Sequence, residues 1–151
     1  MRYLLFFGLF LGLSLSSCSK SAEEIFEEDT MEIIDYLNDN GLSDEALVTT
    51  TGIYYIIDAP GNQDKKPNLN NNVTCNYKGY FPDGEVFDEN DNITFILGNT
   101  IEGWRQGIRL IGEGGSIRLF IPSALGYGTQ GVNSIPKNQV LIFEVDLLKV
   151  N

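Results

Sequence analysis

The stretch Leu141-Ile142-Phe143-Glu144-Val145-Asp146-Leu147 repeats an apolar side chain at every second position. Successive residues of an extended strand point to opposite faces, so Leu141, Phe143, Val145 and Leu147 share one of them. A strand of this kind cannot bury its apolar face alone. It requires neighbours in a sheet that is packed on one side. The other face carries Glu144 and Asp146 but also Ile142, so the alternation is imperfect.

Further segments supply the neighbours. Gly52 to Asp58 is a strand with Ile53, Tyr54, Tyr55, Ile56 and Ile57, stopped by Ala59-Pro60-Gly61. The Asn-rich stretch 62–72 is a loop. Val73 to Phe81 alternates Val73, Cys75, Tyr77 and Gly79 against Thr74, Asn76 and Lys78, as a half-buried strand does. Pro82-Asp83-Gly84 forms a turn, because proline presets φ and glycine accepts a positive φ. Ile93 to Leu97 and Ser116 to Ile121 are two more strands, and Glu102 to Leu110 is a short helix carrying Trp104, Ile108 and Leu110. The stretch 122–137 is a glycine-rich loop. Several strands around one short helix give an α+β domain with an antiparallel sheet.

The amino-terminal segments obey other rules. Arg2, the apolar run Leu4 to Leu13 and the small residues of Ser14 to Ser17 follow the grammar of a secretory signal, assigned to 1–17. The run is too short for a membrane-spanning helix of about 20 residues. Its end, Leu15-Ser16-Ser17-Cys18, resembles the lipobox of bacterial lipoproteins. That resemblance implies cleavage before Cys18 and a lipid on its thiol. Several acyl chains then make a durable anchor, and Cys75 is left without a partner.

Residues 20–47 carry ten acids and one base, whereas 48–151 carry eleven acids and eight bases. The acidity is therefore concentrated in a helical stalk, assigned to 18–48. Ser21 and Glu24 form a capping-box pattern, and Asn40-Gly41 ends the helix. Its stripe of Ile25, Phe26, Ile33, Ile34 and Leu37 suits a spacer that lays one face on the domain, or a dimerisation or partner helix. The many charges between favour the solvated spacer.

Composition narrows the chemistry. The chain has no histidine, which excludes His-based triads and His-dependent zinc motifs. A net charge of −11 repels phosphate backbones, so no nucleic-acid partner is expected. No metal or cofactor is expected either. Asp83, Asp88, Glu89 and Asp91 lack the spacing of a calcium loop, and Gly112-x-Gly114-Gly115 lacks the strand–turn–helix setting of a phosphate loop.

A set of short motifs occurs in a fixed order from Thr49 to Lys149: Val73-x-Cys75-x-Tyr77-x-Gly79, Asp83-Gly84-x-Val86-Phe87-Asp88, Phe95-x-Leu97-Gly98, Ile101-x-Gly103-Trp104-x-x-Gly107, Gly114-Gly115-x-Ile117, Ile121-Pro122, Gly126-Tyr127-Gly128, Ile135-Pro136 and Leu141-x-Phe143-x-Val145-x-Leu147-Leu148. Together they resemble the FKBP family of peptidyl-prolyl isomerases, which bind macrolides. The resemblance implies that 49–151 is an isomerase domain, a sheet wrapped around a central short helix with an apolar pocket between.

Carried over residue by residue, it makes Trp104 the floor of that pocket and Tyr77, Phe87, Phe95 and Phe143 its walls. Thr100 and Ile135 line it. The Ile101 N–H and the Tyr127 hydroxyl bind substrate carbonyls, and Asp88 orders polar groups at the edge. Tyr77, Phe87, Asp88, Tyr127 and Phe143 are thus the implied catalytic set, and Phe95, Thr100, Ile101, Trp104 and Ile135 the implied substrate-binding set. Ile93 and Leu125 stand where many members have aromatics, and Thr100 where an aliphatic is usual. The implied activity is isomerisation of X–Pro bonds in exported polypeptides at a bacterial envelope, with lipid anchoring at the outer membrane. A proline-segment-binding chaperone or assembly module is the alternative, and a macrolide is a further ligand.

Overall fold

The computed structural model describes residues 20–151, so the signal segment and Cys18 lie outside the described residues. Six strands form one sheet: β1 (Leu47–Val48), β2 (Tyr54–Ala59), β3 (Asn72–Tyr80), β4 (Val86–Ile96), β5 (Gly115–Ile121) and β6 (Leu141–Val150). Their order across the sheet is β1-β2-β5-β6-β3-β4, and every neighbouring pair is antiparallel. The alternating strand read first from the sequence, β6, lies between β5 and β3. Phe143 sits opposite Leu119 on one side and Gly79 on the other.

One face of the sheet holds the main core. Val73, Cys75, Leu119, Leu141 and Leu147 are fully buried there against Leu97, Trp104 and Ile108. The short helix α2 (Glu102–Gly107) lies across this face and tightens into a 3-10 turn at Ile108–Leu110. Its close approach needs Gly103, since a Cβ there would stand 2.5 Å from the Ile121 side chain.

The other face explains the irregular Ile142. It forms a second apolar layer with Ile56, Phe120 and Val140, covered by Ile33 and Leu37 of helix α1 (Ala22–Asp39). Burying each of these two side chains contributes about 1.5–3 kcal/mol. The expected cap is present: the Glu24 N–H donates to Ser21 Oγ at 3.2 Å, and the Ser21 N–H donates to the Glu24 carboxylate at 2.7 Å. Gly41, past the C-cap Asn40, takes φ 68°.

The helix buries a different stripe from the expected one. Ile34 and Phe26 stay exposed, and the buried row on α1 is Asp29, Ile33 and Leu37. These residues are spaced by four, so they stack on one face. An acid expected in solvent is therefore part of the packed surface, with Asp29 only 3% exposed.

Two other elements differ from the sequence pattern. β4 starts at Val86, far before Ile93, and runs through Asp88, Glu89, Asn90 and Asp91. Among the described residues it is an edge strand paired only with β3, and edges tolerate and use such polar side chains. Its register shifts between the Cys75 and Tyr77 positions, and Asn92 takes φ 53°. Leu97 leaves the strand for a 3-10 turn, Leu97–Asn99, that leads the chain into α2.

Candidate active site

The site is built from rings that the sheet and α2 bring together. Trp104, on α2, is 4% exposed. Phe143 of β6 meets it edge-on at 5.3 Å between ring centroids, and Tyr77 of β3 does so at 5.2 Å. Phe95 of β4 leans on the same indole at 5.4 Å. Phe87, near the start of β4, packs edge-on against Phe143 at 5.5 Å. Edge-to-face pairs of this kind hold rings in fixed orientations and add about 0.5–1.5 kcal/mol each beyond burial.

Gly79 makes this possible. A Cβ on it would stand 2.7 Å from the Phe87 ring and 2.8 Å from that of Phe143. The motif glycine on β3 thus leaves the gap in which two wall rings meet.

The rings enclose one side of a cavity of about 620 Å³. Tyr77, Phe87, Asp88, Phe95 and Phe143 line it from the strands, and Thr100, Ile101 and Trp104 from the entry to α2. Tyr127 and Ile135 close it from the loop between β5 and β6. All ten residues singled out in the sequence therefore face a single cavity. Asn99, Val132, Asn133 and Ser134 also line it and were not anticipated. A polar depression of about 680 Å³ lies elsewhere, around Asp58, Lys78, Arg118 and Glu144. Arg118 is paired there with Asp58 at 2.8 Å. That surface lacks the aromatic enclosure and is a solvated sheet face.

The polar groups of the aromatic cavity fall into two kinds. The Tyr77 hydroxyl donates to Asp88 Oδ2 at 2.6 Å and accepts from Asn90 Nδ2 at 3.0 Å. Asn90, absent from the sequence reading, completes the cluster with a 3.3 Å bond to Asp88 Oδ1. No short motif marks it; only the pairing of Tyr77 with Asn90 across β3 and β4 does. Burial, followed by the bond to Asp88, pushes the Tyr77 phenol up to about 12. Burial and then the Asp88 charge also raise the Tyr127 phenol. Both hydroxyls therefore keep their protons at neutral pH.

The second kind is unsatisfied. Among the described residues nothing pairs with the Tyr127 hydroxyl or with the Ile101 N–H. Ile101 is the N-cap of α2, so its carbonyl enters the helix while its N–H stays outside it. Thr100 differs: its hydroxyl is spent on the Leu97 carbonyl at 2.8 Å. The arrangement is an aromatic well with a neutral phenol and an amide among its unpaired donors, beside the side chains of Asn99, Asn133 and Ser134. Among the described residues no cluster of three potential metal ligands exists, and Cys75 is a buried free thiol raised to about 12 by burial and then by Asp146.

Comparison with known proteins agrees with this geometry. The FKBP-type peptidyl-prolyl cis-trans isomerase of Buchnera aphidicola, FkpA, is 40% identical over 106 residues, which is 68% of this chain and 42% of that one. The crystal structure of FkpA from Escherichia coli superposes with a TM-score of 0.74 at 32% identity, over 85% of this chain and 62% of that one. A peptidyl-prolyl cis-trans isomerase from Pseudomonas syringae superposes with a TM-score of 0.72 at 26% identity, over 89% and 98%. The chain spans about two fifths of the length of the curated FkpA relatives it matches. The sequence model of the family matches residues 63–148, more than half of the chain, from the turn after β2 to near the end of β6. The chain belongs to the FKBP-type peptidyl-prolyl cis-trans isomerase family.

Proposed function

We propose that this protein accelerates cis–trans isomerisation of X–Pro bonds in exported polypeptides. The observation that carries the reading is the aromatic well over Trp104, with the Tyr127 hydroxyl and the Ile101 N–H among its unpaired donors.

An X–Pro bond rotates slowly because amide resonance must be broken, at a barrier of about 18–20 kcal/mol. Unassisted exchange takes tens of seconds or more. The planar amide is the more polar form, with charge separated between nitrogen and oxygen, and the twisted transition state has lost that separation. A well of aromatic rings that sheds water therefore favours the twisted form over the planar one. Each 1.4 kcal/mol or so of that preference gives about tenfold in rate.

In this mechanism the proline ring rests on Trp104, between Tyr77, Phe87, Phe95 and Phe143, with Thr100 and Ile135 at the margin. The Ile101 N–H and the Tyr127 hydroxyl hold backbone carbonyls on either side. Asp88, with Asn90, fixes the wall tyrosine. No nucleophile, proton relay or cofactor is needed, which suits a chain without histidine. The same well is the site for a macrolide.

The finer setting belongs to the proposal as well. Residues 1–17 direct export, Cys18 carries the lipid, 18–48 form the acidic connection, and 49–151 form the isomerase unit at the outer membrane. Among the described residues no helix is long and apolar enough to cross a membrane. Metabolic labelling with a fatty acid tests the anchor: label lost with Cys18→Ala supports it, and label retained removes it.

Exchange NMR on a short X–Pro peptide, with the chain from Lys20 onward, tests the activity. Acceleration that drops in Phe87→Ala and Tyr127→Phe supports the reading. A folded domain that leaves the exchange rate unchanged but binds the peptide would instead support the binding module.

A further inference from the structure

Asp29 is a carboxylate in the packed face of α1, and it contacts neither the well nor any described cation. A buried charge is costly unless hydrogen bonds compensate it. Two do, and both come from one residue 94 positions later: the Ser123 N–H donates to Asp29 Oδ2 at 2.8 Å, and the Ser123 hydroxyl donates to the same oxygen at 2.6 Å. Ser123 is itself 1% exposed.

Ser123 opens the 3-10 turn Ser123–Leu125 that follows β5. Its carbonyl accepts from the Gly126 N–H at 3.0 Å and from the Gly128 N–H at 2.8 Å. Those two amides flank Tyr127 on either side. A continuous hydrogen-bonded path therefore runs from α1 through Ser123 to both neighbours of Tyr127. Downstream the loop is tied as well: the Tyr127 carbonyl accepts from the Gly131 N–H at 3.2 Å, and the Gly128 carbonyl from the Asn138 N–H at 2.8 Å. Gly128 and Gly131 both take positive φ, and Tyr127 is 36% exposed. Glycines on both sides of a half-exposed tyrosine give a backbone that needs an external fixture to hold one position.

We infer that Asp29 is a positioning residue for Tyr127, and that the amino-terminal helix is thereby part of the catalytic architecture as well as a cover for the sheet. The inference rests on the proposed role of Tyr127 as a ligand for a substrate carbonyl. Asp29 does not touch substrate. It fixes Ser123, and Ser123 fixes the place from which the phenol donates.

The test is a double-mutant cycle on the full chain, with kcat and KM for a short X–Pro peptide measured by exchange NMR. Tyr127→Phe alone tests the underlying reading, and full turnover in that variant would sink it whatever the Asp29 variants do. Given a loss there, Asp29→Ala should lower kcat/KM about threefold to tenfold in the parent and leave it within about 1.5-fold in the Tyr127→Phe background. Asp29→Asn should rescue most of the loss, since its amide oxygen can accept both bonds from Ser123. Ser123→Ala removes only the hydroxyl arm and serves if Asp29→Ala does not fold. It should give a smaller loss that Tyr127→Phe also cancels. The ring signals of Tyr127 should shift or broaden in Asp29→Ala and return in Asp29→Asn. Equal losses in both backgrounds, or a folded Asp29→Ala with parental kcat/KM and unmoved ring signals, would overturn the inference.

Discussion

The Tyr77 hydroxyl donates to Asp88 Oδ2 at 2.6 Å across the β3–β4 ladder, where Asp88 itself sits opposite Gly79. One wall of the well is thus held by a bond between neighbouring strands, and the same register places Phe87 over the glycine that makes room for it. Tyr77→Phe keeps the ring and loses only this bond. The loosened wall is expected to lower kcat/KM about threefold to tenfold, with unchanged circular dichroism. Asp88→Asn, which keeps an acceptor but not the charge, should fall between. Turnover equal to the parent in both variants would remove the cluster from the mechanism.

Gly79→Ala tests the fit between the two wall rings. The added methyl would lie inside contact distance of both Phe87 and Phe143, so one ring must move. Overpacking of this kind costs about 1–3 kcal/mol in stability. The urea midpoint should fall accordingly, and KM should rise as the wall shifts. A midpoint at the parent value would mean that the rings relax without cost.

The pH profile should be flat where most enzymes show a bell. Both Tyr77 and Tyr127 hold their protons more tightly than a free phenol, and the chain has no histidine. Turnover should therefore vary little between about pH 6 and pH 9. Stability follows the opposite end of the scale. Tyr77 is raised from 10.0 to about 12, so the folded state favours the neutral phenol. That contribution is complete below pH 10 and is lost as the pH climbs towards about 12. Urea titrations across this range should show the midpoint declining, and replacement by Tyr77→Phe should remove part of the decline.

Leu37→Ala separates the two duties of the amino-terminal helix. Leu37 is 3% exposed against the outer layer of the sheet and lies far along α1 from Asp29. Its loss should cost about 2–4 kcal/mol, read as a lower urea midpoint. Below that midpoint kcat/KM should match the parent. A catalytic loss as large as that of Asp29→Ala would mean that any loosening of the helix disturbs the well.

Much of this architecture is legible in the sequence. The alternation in β6, the turn at Pro82-Asp83-Gly84 and the Ser21–Glu24 cap each depend on neighbours a few residues apart, so the sequence displays them directly. The aromatic set of the well came instead from the order of family motifs. What stayed hidden depends on distant partners. Ile142 reads as a blemish until α1 is seen to cover it. Asp29 reads as one solvated acid among many until Ser123 arrives beneath it. The polar half of β4 has no apolar period because, among the described residues, one of its edges has no strand beside it, and Asn90 gains meaning only from the register that sets it against Tyr77.

The position of β6 has a consequence for how such a molecule comes into being. Among the described residues, the order β1-β2-β5-β6-β3-β4 leaves two half-sheets bridged only by β6. Until β6 is inserted, β5 and β3 each present an unpaired inner edge, and the well lacks Phe143. The two halves therefore join through contacts of long sequence separation, the slow kind to form. Until they join, the chain exposes unpaired strand edges of the kind that aggregate or call for protection during folding.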